Sequence, residues 1–267
     1  MIGRLGLRLS AMAVLAFLYI PLFFVILYAF NDARRQSWPI EAFSLRWFAA
    51  AAANEKVREA FVLSVQAGLA ATVIALLLGS LAAFAVHRYS FFGRETISFL
   101  VVLPLALPGI VTGMALNATI NQGIQTIGFP HFGLFTIVAG HATFCVVVVY
   151  NNVVARLRRT SRSLEEASMD LGADGWQTFR HVTLPTIATA LFAGALLAFA
   201  LSFDEIIVTT FTAGTDETLP IWIFSNFRLP NQRPIVNVVA LVMILLSALP
   251  VYLSARLSGA SGQLTTR

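Results

Sequence analysis

Apolar positions in this chain are gathered into long blocks rather than alternating with polar ones. Six blocks, residues 9–30, 61–86, 97–120, 136–154, 185–203 and 236–255, are separated by shorter polar segments. A helix needs about 20 apolar residues to cross a hydrocarbon core ~30 Å thick, and each block meets that length. The pattern therefore predicts an all-α polytopic membrane protein with six transmembrane helices and a single transmembrane domain over residues 1–267. The fifth block has an open outer end, because apolar residues resume at 206–211. The first block follows Arg4 and Arg8 and exceeds the ~7–15-residue apolar core of a cleaved signal, so it reads as a retained first helix. In the polar segment 31–60 an amphipathic helix is expected over residues 45–59, with Trp38 and Trp47 suited to the membrane interface.

Three blocks carry helix breakers: Pro21 in the first, Gly79 in the second, and Pro104, Pro108, Gly109 and Gly113 in the third. Lipid tolerates such residues where neighbouring helices or a cavity satisfy the freed backbone groups. The third helix, with Pro108 as its candidate residue, either lines a pathway or is kinked to improve packing.

Composition supports the membrane reading. The chain is 58% hydrophobic and only 12% charged, with a mean hydropathy of +0.79, where soluble domains carry about 25% charged residues. Its net charge of +5 would suit nucleic acid, but arginine placement explains it instead. With the N-terminus inside, the inner segments hold eleven arginines against five acids, and the outer ones seven basic residues against eight acids. This is the positive-inside bias, and it places both termini in the cytoplasm. Cys145, the single cysteine, lies in an apolar run and reads as packing. His87, His131, His141 and His181 form no metal-spaced pair, and His141 reads as a packed, hydrogen-bonded histidine. There is no GxxxxGK[ST] loop, and the one lysine, Lys56, is in an outer segment. The chain is thus expected to bind no cofactor or metal, to catalyse nothing itself, and to leave any ATP hydrolysis to another polypeptide.

The inner loop, about 155–184, is the most informative segment. Ser163 followed by Glu166 reads as a capping box opening a short helix. On a helical wheel Leu164, Ala167, Ser168 and Leu171 share one side, while Glu165, Glu166 and Asp170 project from the other. Gly172 closes the helix. Asp174 with Gln177 opens a second, with Trp176 and Phe179 as its apolar anchor. Thr183-Leu184-Pro185 starts the fifth span, since proline is tolerated in a first turn. An amphipathic loop lying on the membrane would also explain the caps and the apolar face, but not the full spacing.

Glu166-Ala167-Ser168, three residues, Gly172, nine residues, then Val182-Thr-Leu184-Pro185 resembles the EAA motif of ABC importer permeases. Ser168 stands for alanine and Val182 for isoleucine. The resemblance implies the type I importer permease fold, with a cytoplasmic two-helix coupling loop. It assigns Glu165, Glu166, Ala167, Ser168, Asp170, Leu171, Gly172 and Ala173 to coupling, with Leu184 and Pro185 anchoring the loop. It further implies a partner ATPase dimer carrying ATP and Mg, a second homologous permease forming a heterodimer, and a periplasmic binding protein. The location implied is a bacterial inner membrane. An ion-driven secondary carrier or channel is the rival; such carriers often show internal repeats, and none is evident.

Asp204 and Glu205 interrupt apolar sequence at the end of the fifth block. A carboxylate near the bilayer centre costs about 2.5–3.5 kcal/mol on insertion scales and often marks a pathway. The two either line such a path or cap the helix end and pair with Arg228 or Arg233. The stretch from Phe203-Asp204-Glu205 to Phe211-Thr-Ala-Gly, the run from Thr218 to Ser225 and the third-span run Leu103 to Val111 are similar to the spermidine/putrescine-type permeases, in particular their second subunit. That resemblance implies a polyamine-like cargo, with Phe203, Asp204, Glu205 and Pro108 as pathway candidates; a GABA-like amine or another small solute remains open. Carboxylates beside Phe203 and Phe211 suit an organic dication through ion pairing and cation–π contact.

Overall fold

The computed structural model describes residues 2–36, 38–128 and 131–263, with only the backbone given for 2–5, 127 and 258–263. Of the inner charges, Arg267 lies outside the described residues, and of Arg4 only the backbone is described. The elements are α1 Ile2–Ala29, α2 Arg46–Ala53, α3 Glu55–Arg88, α4 Arg94–Ala106, α5 Gly109–Ile127 and α6 Leu134–Leu157. They continue with α7 Ser163–Asp170, α8 Gly175–Thr178, a π-helical turn Phe179–Thr183, α9 Leu184–Phe203, α10 Ile207–Thr212, α11 Leu219–Asn226 and α12 Arg233–Gln263.

Among the described residues, five helical stretches, Gly6–Ala29, Glu55–Arg88, Leu134–Leu157, Gly175–Phe203 and Arg233–Leu257, are long and apolar enough to cross a membrane. The sixth expected span is not one helix: α4 and α5 meet at a bend of 105°. The reason is local. Leu107 and Pro108 are both extended (ψ 142° and 130°), as a residue preceding proline prefers, so the chain leaves one helix and starts another. The other two supposed breakers break nothing. α1 runs through Pro21. α3 runs through Gly79, where an added Cβ would stand 2.8 Å from the Val146 carbonyl oxygen; that glycine is a point of close helix approach.

The chain divides into two compact units, Met1–Ala60 with Trp222–Leu245, and Phe61–Ile221 with Leu246–Arg267. In the first, α1 has none of its spanning window buried within the chain, as expected of a helix apolar all round. The loop after it is pinned by an antiparallel bridge between Asn31 and Phe43. Arg46 pairs with Asp32 at 3.2 Å, and Asn237 donates to Gln36 at 2.6 Å. The amphipathic helix expected over 45–59 is two helices. Asn54 is extended (ψ 114°), and its Oδ1 accepts from the Val57 N–H at 3.3 Å, ending α2 and capping α3. Trp47 is buried, its indole donating to the Asp32 carbonyl, while Trp38 is exposed.

The second unit packs α3, α6 and α9 around Ala71, Ala75, Cys145, Val149, Val153, Ile187 and Ala198. Small residues let these helices approach closely, which is how apolar helices associate when lipid is as apolar as they are. Cys145 is buried, and its thiol donates to the Ala198 carbonyl at 3.3 Å. It is a packing residue, as its surroundings in the sequence imply.

Candidate functional site

The candidate residues gather at two places in the second unit: the bracket after α6 and the elbow between α9 and α10. In the bracket, α6 unwinds past Leu157, and the chain re-enters helix at Ser163. The capping box expected from Ser163 and Glu166 does not form. Arg162, the residue before α7, is itself helical, and no side chain caps the helix. Ser163 is instead the first helical residue, its N–H donating to Ser161 Oγ at 3.2 Å. Its own hydroxyl lies 2.6 Å from Ser161 Oγ.

The far end of α7 follows expectation. Gly172 has φ +90°, its N–H bonds to the Met169 carbonyl at 2.9 Å, and the Ala173 N–H reaches the Ser168 carbonyl at 3.1 Å. This pair of bonds is the Schellman closure that needs a left-handed residue. Asp174 and Gln177 form their reciprocal capping box at 2.8 and 2.9 Å. α8 then passes through the π turn without interruption into α9, the Leu184 N–H bonding to the Phe179 carbonyl. Proline lacks the N–H that a regular helix would need, and Pro185 sits in the first turn after this π segment.

Burial on α7 does not follow the two sides of the wheel. Glu165 is the buried residue, 8% exposed, while Leu171 is 91% exposed and Leu164, Ala167 and Met169 are also exposed. The cause is a specific partner. Arg88, in the last turn of α3, pairs with Glu165 Oε2, and Thr183 donates to Glu165 Oε1 at 2.6 Å. Ser168, half-buried on the same inner side, lies 3.3 Å from the Thr178 hydroxyl. Glu166 and Asp170 are exposed, and Ala173 is half-buried. Trp176, the expected anchor of α8, is exposed and stacks on Phe179, which alone reaches the bundle, edge-on to Phe84 at 5.6 Å. Apart from Phe179, the bracket is held by polar contacts, and the apolar side chains of α7 are left exposed.

The elbow reverses that arrangement. α9 stops at Phe203 and does not run on through 206–211. Asp204 is exposed, and the Glu205 carboxylate accepts from the Val208 N–H at 2.9 Å, capping α10. Beneath them His141 of α6, 1% exposed, bonds Ser202 Oγ at 2.6 Å and Thr209 Oγ1 at 2.8 Å. Thr209 spends its proton on the Glu205 carbonyl, 2.9 Å away. The imidazole must then donate from Nε2 to Thr209, while its Nδ1 pairs with the Ser202 hydroxyl, so both ring nitrogens are used.

α10 is clamped from a second side by α5. Asn117 donates to the Phe211 carbonyl at 2.7 Å. A Cβ at Gly113 would come within 2.6 Å of the Phe211 ring, and one at Gly109 within 3.6 Å of Ile207. The Pro108 bend and the carboxylate elbow are thus brought together. Phe203 is not: its ring is buried against Phe199 at 5.7 Å and Phe61 at 6.4 Å, away from the exposed Asp204. Gly109 and Gly113 act as contact surfaces, not breakers, and their i, i+4 spacing was the available sequence signal. Arg88 and Thr183 carried no local signal, since their partner is remote in sequence.

The family model described as "binding-protein-dependent transport system inner membrane component" matches residues 75–260. The putrescine transport system permease protein PotI of Escherichia coli K12 is 34% identical over 232 residues, covering 85% of this chain and 82% of that protein. The spermidine/putrescine transport system permease protein PotC of the same strain is 33% identical over 257 residues, covering 95% and 94%. Among solved structures, a bacterial ABC transporter involved in alginate import has a chain of similar fold, at 15% identity and TM-score 0.67, covering 99% of this chain and 96% of that one. An amino acid ABC transporter has another, at 14% identity and TM-score 0.59, covering 80% and 97%.

Proposed function

Because the chain belongs to the family of binding-protein-dependent transport system inner membrane components, we propose that it is the permease subunit of an ATP-driven importer of polyamines of the putrescine and spermidine class. It is a non-catalytic, multi-pass subunit of a bacterial inner membrane with both termini in the cytoplasm, and residues 1–267 serve as its transmembrane domain. The observation that carries the coupling part of the reading is the outward turn of Leu164, Ala167, Met169 and Leu171. Exposed on a short cytoplasmic helix, these residues need a protein groove, and helix-in-groove docking reads such spaced anchors. The groove belongs to an ATPase dimer that binds ATP and Mg. Glu166, Asp170 and Gly172 shape the docking edge, and Leu184 and Pro185 carry the bracket into α9. One chain offers one bracket, so a two-fold ATPase requires a second permease, and a related but distinct chain fills that place. A periplasmic binding protein delivers the cargo.

The polyamine assignment rests on the likeness to PotI and PotC over most of the chain and on the paired carboxylates at the elbow. Asp204 supplies an exposed negative charge, and Glu205 a second one partly engaged in capping α10. Closure of the ATPase pushes α7, and rigid-body swinging of the spans alternates access to the elbow.

Reconstitution with its ATPase, second permease and binding protein tests this reading. Putrescine or spermidine with the binding protein should stimulate ATP hydrolysis and drive uptake. Asp204→Asn and Glu205→Gln should each lower uptake about ten- to hundredfold, the worth of a charge-assisted hydrogen bond, while assembly is preserved because Gln keeps the capping oxygen. No stimulation by either polyamine over a wide concentration range removes the substrate assignment.

A further inference from the structure

Glu165 falls within the segment read as partner-facing, yet its carboxylate is spent inside the chain. Oε2 pairs with Arg88 at the end of α3, and Oε1 accepts the Thr183 hydroxyl at the end of the π turn. One side chain on α7 therefore ties two separate spans. α7 has eight residues, too few to be stable alone in water, and its apolar side is turned outward, so burial of leucines does not hold it. The contacts that do are polar. Besides Glu165 they are Ser168 with Thr178 at 3.3 Å, and the Arg162 guanidinium donating to the Arg88 carbonyl at 3.3 Å. Thr183 is also where the chain returns from π to α geometry before Pro185, a point where helix register can shift. The Arg156 Nε–H, donating to the Thr186 carbonyl at 2.9 Å, ties α6 to the first turn of α9 just beyond.

We propose that Glu165 is a positioning residue and not part of the ATPase-facing surface. Its carboxylate, shared by Arg88 and Thr183, bolts α7 to α3 and α9 so that displacement of α7 is transmitted to both spans. This rests on the reading that the ATPase docks on α7. Loss of the bolt should uncouple the machine: the ATPase stays bound and hydrolyses ATP, but the spans do not follow. A residue needed only for docking loses association and transport together.

The test uses the full importer in proteoliposomes, reading ATPase co-purification, ATP hydrolysis and putrescine uptake for Glu165→Gln beside Leu171→Asp. Glutamine keeps an acceptor for Thr183 and removes the charge that pairs with Arg88. We expect Glu165→Gln to retain the ATPase and its hydrolysis while uptake per ATP falls about tenfold, within the range of an ordinary coupling energy. Leu171→Asp should lose the ATPase. If Glu165→Gln transports with wild-type stoichiometry, or sheds the ATPase as Leu171→Asp does, the bolt is refuted. If Leu171→Asp keeps the ATPase, the docking reading fails instead. Should Glu165→Gln fail to accumulate in the membrane, the charge exchange Arg88→Glu with Glu165→Arg decides. Recovery of uptake by the pair beyond either single change supports the bolt, and no recovery overturns it.

Discussion

In the bracket the charged side chain is inside and the leucines are outside; at the elbow a carboxylate is outside while an imidazole and two hydroxyls are inside. Both regions contain buried polar groups, and in both those groups are hydrogen-bonded or paired, as burial demands. They differ in what faces outward. Apolar surface along a span is covered by lipid. Leu164 and Leu171 lie on a loop helix outside the spans, close in sequence to Arg158, Arg159 and Arg162, and in the function proposed above a protein covers them. The elbow has no such deficit. His141, Ser202 and Thr209 satisfy one another, and the groups left free, those of Asp204 above all, are the kind that meet a charged solute. In the function proposed above, the exposed leucines of the bracket meet a partner and Asp204 meets the cargo.

The widest test of that contrast is Leu171→Asp. A central apolar anchor is worth at least about 2 kcal/mol in an interface, so ATPase association should weaken roughly thirtyfold or more in co-purification, with thermal stability of the subunit unchanged. A fall in stability without loss of the ATPase would mean that this face is packed at home. Gly113→Leu acts on the elbow and should do the reverse. Its side chain meets the Phe211 ring, overpacking costs about 1–3 kcal/mol, and the melting temperature in detergent should drop while the bracket still binds the ATPase. His141→Leu should have the smallest effect. It leaves Ser202 and Thr209 without the ring, and buried polar contacts in membrane helices average about 0.6 kcal/mol, reaching about 1.7 at most. A modest loss of thermal stability is expected, and a loss above that range would show that the histidine holds more of the elbow than its two hydrogen bonds.

Several features could be read locally and were. The Schellman closure at Gly172 and the capping box at Asp174 depend on residues within a few positions of each other, and both are present. The Ser163 cap did not form: Ser163 is itself helical, and its hydroxyl lies 2.6 Å from that of Ser161, just outside the window read. The wheel over α7 sorted its residues into two faces but left open which faces the bundle, and Glu165 from one and Ser168 from the other turn inward. Hydrophobicity ranks burial only when no charge has a partner, and Arg88 is 77 positions away from Glu165 in the chain. The third span shows the same limit. Pro108 announced a break, and the extended backbone there makes the 105° bend, but that α5 seats α10 through Phe211 and Ile207 is seen only in the packing.

By itself, the sequence determined that the chain is a bundle of membrane-spanning helices with a two-helix bracket before its fifth apolar block. Block length and the EAA-like spacing follow from bonds and periodicities within one segment. Tertiary structure alone decided which side of the bracket is free and that Phe203 is buried while Asp204 is not. It also decided that Gly109 and Gly113 are contacts. Each of those is a choice among neighbours brought together by packing, and the energy of a buried carboxylate or a missing Cβ depends on what stands opposite.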